Sequence, residues 1–415
     1  MKIVMVPSGF KECLDAEEVA AAMEAGVHRL NPNANITVIP MIDGGEGFAK
    51  TIVKIKKGKL YYKEVTGPVG QTITSYFGVY MENNKKTAVI EMAAVAGLKL
   101  VPRDKRNPLW TTTQGVGELI KGALDFGVNR ILIGCGDSGT SDGGAGMAQA
   151  LGAIFKNESD EPLFIKGGGD LHRVASIDLQ ELDPRLQDVQ IDVACNWHNV
   201  LCGDQGVARV FGPQKGATPE EVEQLAAAFD HYACLINTQF GINVATSPGS
   251  GASGGLGAGL IAFAKANLHP RYQIIMQYIS IEKHILDADV VLTAEGCLDF
   301  QTPNGKIPAE VARIAKTRGI PVIAITGTIG ENAKVNYENG IDAYSSIIQK
   351  PTSLEKAMKK AASWISDSTE AAFRHVLIGY RIAQKSMNER KEMIWSFNNY
   401  DQQGESLLLQ RSYKK

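Results

Sequence analysis

Short apolar runs alternate with amphipathic stretches at both ends of the chain. KIVMV (2–6) has the pattern of a short buried strand. After the loop PSGFKECLD, the run AEEVAAAMEAGVHRL places apolar residues at helical spacing, with Asp15 as its N-cap. ITVIPM reads as a second strand that ends in IDGGEG (42–47), and another helix follows. Residues 1–57 thus form the β-α-β-α start typical of parallel sheets. The same rhythm returns late in DVVLTAEG, PAEVARIAKTRG, PVIAITG, AYSSII and a closing helix, so the two ends together supply five strands.

Between about residues 60 and 285 the pattern changes. KLYYKEVT, ITSYFGVYM and KTAVIEMA, separated by turns with charged and Asn residues, predict an antiparallel meander. A helix within LWTTTQGVGELIKGALDFG leads to the strand ILIGC. The simplest layout is one domain inserted into another: 1–60 with 285–380 as an α/β unit, 61–284 as the insertion, and 381–415 as a polar tail, frayed or one short helix.

A length of 415 residues also fits two domains better than one. A net charge of −2 gives no long-range attraction to nucleic acid or anionic lipid, so a small-molecule partner is expected, and neither nucleic acid nor membrane. The six cysteines form no disulfide framework, and no run approaches the roughly 18 apolar residues of a spanning helix, which fits a cytoplasmic protein.

Candidate chemistry lies in glycine-rich loops next to acids and lysines: IDGGEG, TSDGGAG (140–146), FGPQKGA (211–217), GSGASGGLGAG (249–259) and TAEGCLD (293–299). Small residues let a backbone approach a polyanion, carboxylates hold a hard cation, and lysines neutralise phosphate charge. A competing pattern is G-x-S-x-G around Ser141, the nucleophile elbow of hydrolases. GASGG (251–255) satisfies it too, and GDSGT (136–140) imitates a protease motif, so glycine abundance accounts for the matches. CNWHNVLC (195–202) lacks a fourth ligand at zinc spacing, and no Walker A sequence is present.

Taken together, FKECLDA, DGGEG, IEMAAVAGL, RNPLWTT, SDGGAGMAQALG, LDPRL, LCGDQG, FGPQKGA, GASGGLGAGL and AEGCLDFQTPNGK resemble, in consistent order over about residues 1–380, the class I glycerate kinases of bacteria. The resemblance implies a two-domain α/β protein: a flavodoxin-like parallel-sheet domain built from both chain ends, plus an inserted mixed α/β domain, with the active site in the cleft between them. It implies transfer of the γ-phosphoryl of ATP, with Mg2+, to D-glycerate, giving 2-phosphoglycerate. Catalytic roles are expected for Lys11, Asp43, Asp142 and Asp299. Nucleotide contacts are expected from Gly44, Gly45, Gly143, Gly144, Lys215, Ser253 and Lys306, and metal contacts from Glu46 and Glu295. Expected partners are a small hydroxy acid, glycerate first, and a second copy of the chain in a homodimer.

Four loops depart from the family pattern. Ser8 and Gly9 replace the Asp and Ser of P-D-S-F-K; Asn196, Trp197 and His198 stand where Asp, Val and Thr are usual; Cys297 replaces an arginine; and Ser141 replaces an asparagine. Losing a carboxylate removes a base or metal ligand, and losing a guanidinium removes a bidentate anion clamp. The departures leave three readings: a glycerate kinase with relocated contacts, a kinase for another small hydroxy acid, or a catalytically weakened paralogue.

Overall fold

A computed structural model describes residues 1–10, 13–42 and 44–412, with side chains through residue 387. From the N-terminus come β1 (Lys2–Pro7) and β2 (Asn35–Val38), then the meander β3 (Lys59–Thr66), β4 (Thr72–Glu82) and β5 (Lys85–Glu91). β6 (Arg130–Gly134) follows, then the short β7 (Ile154–Lys156), β8 (Pro162–Leu163) and β9 (Ser176–Asp178). The chain continues through β10 (Gln190–Cys195), β11 (Asn267–Pro270), β12 (Val290–Leu298), β13 (Val322–Ile329) and β14 (Ala343–Ser346).

The apolar runs at both chain ends assemble into one parallel sheet in the order β14-β13-β12-β1-β2. Renumbered along the chain this is 2-1-3-4-5, the flavodoxin-like order, and its switch point lies between β1 and β12. Ile3, Met5 and Val290 on one face and Val4, Val6 and Val291 on the other are buried, which explains why these strands read as continuous apolar runs. The first helix, Ala16–His28, starts in a capping box: Asp15 accepts from Glu18 N at 2.8 Å, and Glu18 accepts in return from Asp15 N at 2.9 Å.

The middle of the chain forms a mixed sheet, β11-β10-β6-β5-β4-β3, with β3, β4 and β5 as the antiparallel meander and β5, β6, β10 and β11 parallel. One core cluster joins the two sheets: Val4 and Ile39 pack with Val89, Leu132 and Ala194 through Phe48 and the helix Arg271–Ile279. A folding unit confined to 61–284 therefore remains a proposal, because Phe48 precedes that range and lies in the shared core.

The tail departs from expectation. Residues 381–412 are neither frayed nor a separate short helix; they continue the helix Leu354–Ser412. Among the described residues no helix is long and apolar enough to cross a membrane, and all six cysteines are free.

Candidate active site

Both sheets aim the C-terminal ends of their parallel strands at one groove. Its larger part, about 1240 Å³, is lined by Glu91 at the end of β5 and Ala93 after it, Cys135–Ser138 after β6, Asn196 and Asn199 after β10, and Arg271 after β11. A neighbouring recess of about 380 Å³ lies at the β1/β12 switch point, bordered by Ser8, Gly9 and Glu295. Asp15 and Glu46 border both. This is where open α/β sheets place ligands.

Among the described residues the larger cleft is lined by five cations, Lys50, Lys99, Arg106, Lys215 and Arg271, and by four acids, Asp15, Glu46, Glu91 and Asp137. Lys99 Nζ contacts the Glu46 carboxylate, and Asp137 accepts from Glu46 N at 3.0 Å. Lys215 sits at the floor, 5% exposed. Its ammonium donates to Thr140 O at 2.6 Å, Ser138 Oγ at 2.9 Å and Ser141 Oγ at 3.4 Å. Burial pushes its pKa down to about 7, against a smaller opposing pull from Asp142.

The glycine-rich loop 140–146 does something other than the sequence suggested. Asp142 is fully buried and accepts from Thr113 N (2.7 Å), Thr113 Oγ1 (2.8 Å), Gly144 N (3.1 Å) and Gly146 N (3.2 Å). Burial raises its pKa, and these donors offset part of the rise. Its four partners tie the start of the helix Gln114–Asp125 to the start of Ala145–Ala150. Glu91, 1% exposed, does the same for the helix Phe48–Ile55, accepting from Gly47 N at 3.0 Å and Ala49 N at 3.1 Å. Burial raises the Glu91 carboxyl as well, offset chiefly by Gly47 N–H. These helix N-termini, which would otherwise suit a phosphate, are occupied by the protein's own carboxylates.

Gly143 and Gly144 accordingly border neither cavity. A Cβ on Gly143 would lie 2.7 Å from the Tyr232 ring, and one on Gly144 would lie 2.9 Å from Gly259 Cα. Their smallness lets the loop 139–146 pack against the irregular start and the first turns of the helix Ala252–Ala264, with Gly143 N donating to Gly254 O at 3.1 Å. Gly44 and Gly45 are likewise buried, packed against the end of β6.

Of the other expected site residues, Lys215, Ser253 and Glu46 line the larger cleft, and Glu46 and Glu295 the recess. Lys11 and Asp43 lie outside the described residues. Asp299 and Lys306 border neither cavity and pair with each other at 3.0 Å. Burial works to raise the Asp299 carboxyl, but Lys306, Gln301 N–H and the Thr302 hydroxyl outweigh it and hold it low. Ser141 is fully buried and faces the Lys215 ammonium, with no histidine base at its hydroxyl among the described contacts. Among the described residues no group of three or more His, Cys, Asp or Glu side chains is placed to hold a metal, CNWHNVLC included.

The sequence profile of the glycerate kinase family matches residues 3–377. The chain belongs to the glycerate kinase family. It is similar to a glycerate kinase of Halalkalibacterium halodurans, 46% identical over 91% of this chain and 97% of that one. It is also similar to the glycerate 2-kinase of Escherichia coli K12, 42% identical over 92% of this chain and 100% of that one. A solved structure from Salmonella typhimurium LT2, provisionally named glycerate kinase 2, superposes with a TM-score of 0.79 at 42% identity, covering 92% of this chain and 99% of its own.

The family's kinase activity makes ATP the phosphate donor. Among the residues that depart from the family pattern, Ser8 borders the recess and donates to Ala294 O at 2.9 Å, and Asn196 borders the larger cleft. Cys297 lies on neither surface; its Sγ is 3.8 Å from Asp299 Oδ2. Glu91, Asp137, Lys50, Lys99, Arg106 and Arg271 are cleft residues that the sequence reading missed.

Proposed function

We propose that this glycerate kinase family member transfers the γ-phosphoryl group of ATP to D-glycerate in the cleft between the two sheets, giving 2-phosphoglycerate. The observation that supports this most is the convergence of five cationic side chains on one cleft bordered by the strand ends. ATP and glycerate together carry about five negative charges, and the cationic side chains, offset in part by the four acids on the same cleft, favour anions there most where the carboxylates are turned to other partners. The cleft, about 1240 Å³, and the adjoining recess, about 380 Å³, together exceed the roughly 300–1,000 Å³ usual for one small ligand, as two substrates held side by side require.

Phosphoryl transfer needs positioning and charge neutralisation more than covalent chemistry. In this reading Lys50, Lys99, Arg106 and Arg271 meet phosphate oxygens directly. Lys215, whose three donors are already directed at the loop 138–141, supplies charge from beneath and holds that loop. Asp142 and Glu91 act as anchors of the cleft walls rather than as proton carriers. The family resemblance supports Asp43 as base for the glycerate hydroxyl or as a magnesium ligand, and Lys11 as partner of the substrate carboxylate or a phosphate. Mg2+ asks for one or two carboxylates and otherwise phosphate and water oxygens, which Glu46 and Glu295 on the recess fit. When bound it would neutralise phosphate charge. A cytoplasmic location and a homodimer are carried as proposals on the same footing.

The test is incubation of the purified protein with ATP, Mg2+ and D-glycerate, with tartronate in parallel, and 31P and 13C NMR of the product. The expected result is a phosphomonoester on C2 of glycerate, formed in proportion to ADP. A product on tartronate alone, or ADP without any phosphorylated acid, would overturn the assignment.

A further inference from the structure

The buried carboxylate of Asp192 is used by none of the chemistry above. It lies on β10, 2% exposed, at the edge of the apolar layer between the two sheets. Polar groups from four elements converge on it. Tyr278 OH donates to Oδ2 at 2.5 Å and Gln190 Nε2 donates to the same oxygen at 2.7 Å. His269 Nε2 lies 2.9 Å from Oδ1, and since a carboxylate only accepts, that nitrogen carries the proton. Arg130 Nη2 is 3.5 Å from Oδ2, and its guanidinium lies over the Tyr278 ring, 4.5 Å from the centroid.

Two of these partners bracket the cleft residues Arg271 and Tyr272. His269 lies on β11, which runs directly into the helix Arg271–Ile279, and Tyr278 lies near that helix's end. Arg271 and Tyr278 are seven residues apart, two turns, and so share a helical face. Arg271 borders the larger cleft and Tyr272 the recess. Around Asp192 the helix packs through Ile274, Ile275, Met276 and Ile279, contacts that are non-directional and leave its rotation and axial position loosely specified. Hydrogen bonds made just before Arg271 and two turns beyond it fix both.

We propose that Asp192 is a positioning residue for phosphoryl transfer, setting Arg271 against the bound anion through His269 and Tyr278. The proposal rests on the reading of the cleft as the reaction site. Its test is a double-mutant cycle on the intact chain, with Asp192→Asn, Arg271→Ala and the double variant, measuring kcat and KM for ATP and for glycerate. Circular dichroism and thermal unfolding report the fold. Asp192→Asn is expected to raise the KM that Arg271→Ala raises, by roughly two- to thirtyfold, and to add nothing in the Arg271→Ala background. Tyr278→Phe, which removes one hydrogen bond and keeps the ring under Arg130, is expected to shift the same KM by less and serves if Asp192→Asn does not fold. Effects that multiply in the double variant, or a lowered melting temperature with both KM values intact, would overturn the proposal. An Arg271→Ala variant with unchanged kinetics would instead overturn the reading of the cleft on which it rests.

Discussion

Replacing Lys215 by methionine is expected to lower turnover by about 10²–10³-fold, the scale of losing one preorganised electrostatic group from a reaction centre. The side chain is almost fully buried at the cleft floor and donates to three oxygens of the loop 138–141, whose Ser138 borders the cleft. Methionine fills similar space but leaves Thr140 O without its donor and the phosphates without a charge beneath them. Folding should survive, since burying the ammonium already costs the folded state, and its removal offsets the loss of these hydrogen bonds.

The pH dependence gives the same account a second check. With the Lys215 pKa near 7 in the folded protein, the ammonium form is lost as pH rises through neutrality. The wild-type kcat/KM for ATP, which reports the free enzyme, should therefore fall above about pH 7, and the methionine variant should lack that limb. Stability moves the opposite way. The folded pKa lies below the ordinary 10.5, so between the two values the unfolded chain binds more protons. The destabilisation from burying the charge is full below about 7 and is relieved as pH rises toward 10.5. Denaturant titrations of wild type and variant across that window check the sign.

Gly254→Ala is expected to destabilise the protein by about 3 kcal/mol or more. Gly254 has φ +71°, a left-handed conformation that costs an alanine roughly 1–2 kcal/mol by itself. The larger part comes from contact: its new Cβ would lie 1.9 Å from Thr140 O and 2.7 Å from Ser141 Cα. Both belong to backbone, and Thr140 O already accepts from Lys215, so relief would force apart two loops that line the cleft. Gly241→Ala separates the two contributions, because Gly241 has φ +69° with nothing within 4 Å of its Cβ position. It should show the conformational cost alone. Equal midpoints for the two variants in urea unfolding would mean that the loops separate freely.

The fold was legible wherever burial writes a pattern. Strands buried on both faces must be apolar, so KIVMV, DVVLTAEG and PVIAITG announced the centre of the five-stranded sheet, while the edge runs ITVIPM and AYSSII are only half-buried, and Asp15 as N-cap announced the first helix. The end of the chain was not legible in that way. Residues 381–412 continue a helix, in a stretch rich in Glu, Lys, Gln and Arg with no proline, where propensity rather than an apolar stripe is the signal.

The site was half legible for a related reason. Glycine clusters mark close backbone approach, but the sequence does not say what approaches. For Gly144 it is the helix Ala252–Ala264, for Gly254 it is the loop at Thr140 and Ser141, and for the N–H groups of Gly144 and Gly146 it is Asp142. Glu91 looked like part of an apolar strand, and its signal was a lone acid at the end of an otherwise buried run. Lys50, Lys99, Arg106 and Arg271 look like solvated surface residues until the two sheets face each other.

The central claim is that the cleft between the sheets holds the reacting phosphates. A crystal structure of the protein with Mg2+, a non-hydrolysable ATP analogue and D-glycerate tests it most directly. The account predicts the triphosphate within hydrogen-bond reach of Arg106 or Arg271 and above the Lys215 loop, with glycerate in the recess beside Ser8 and Glu295. A nucleotide bound with its phosphates at the Asp299–Lys306 loop, outside both cavities, would contradict it.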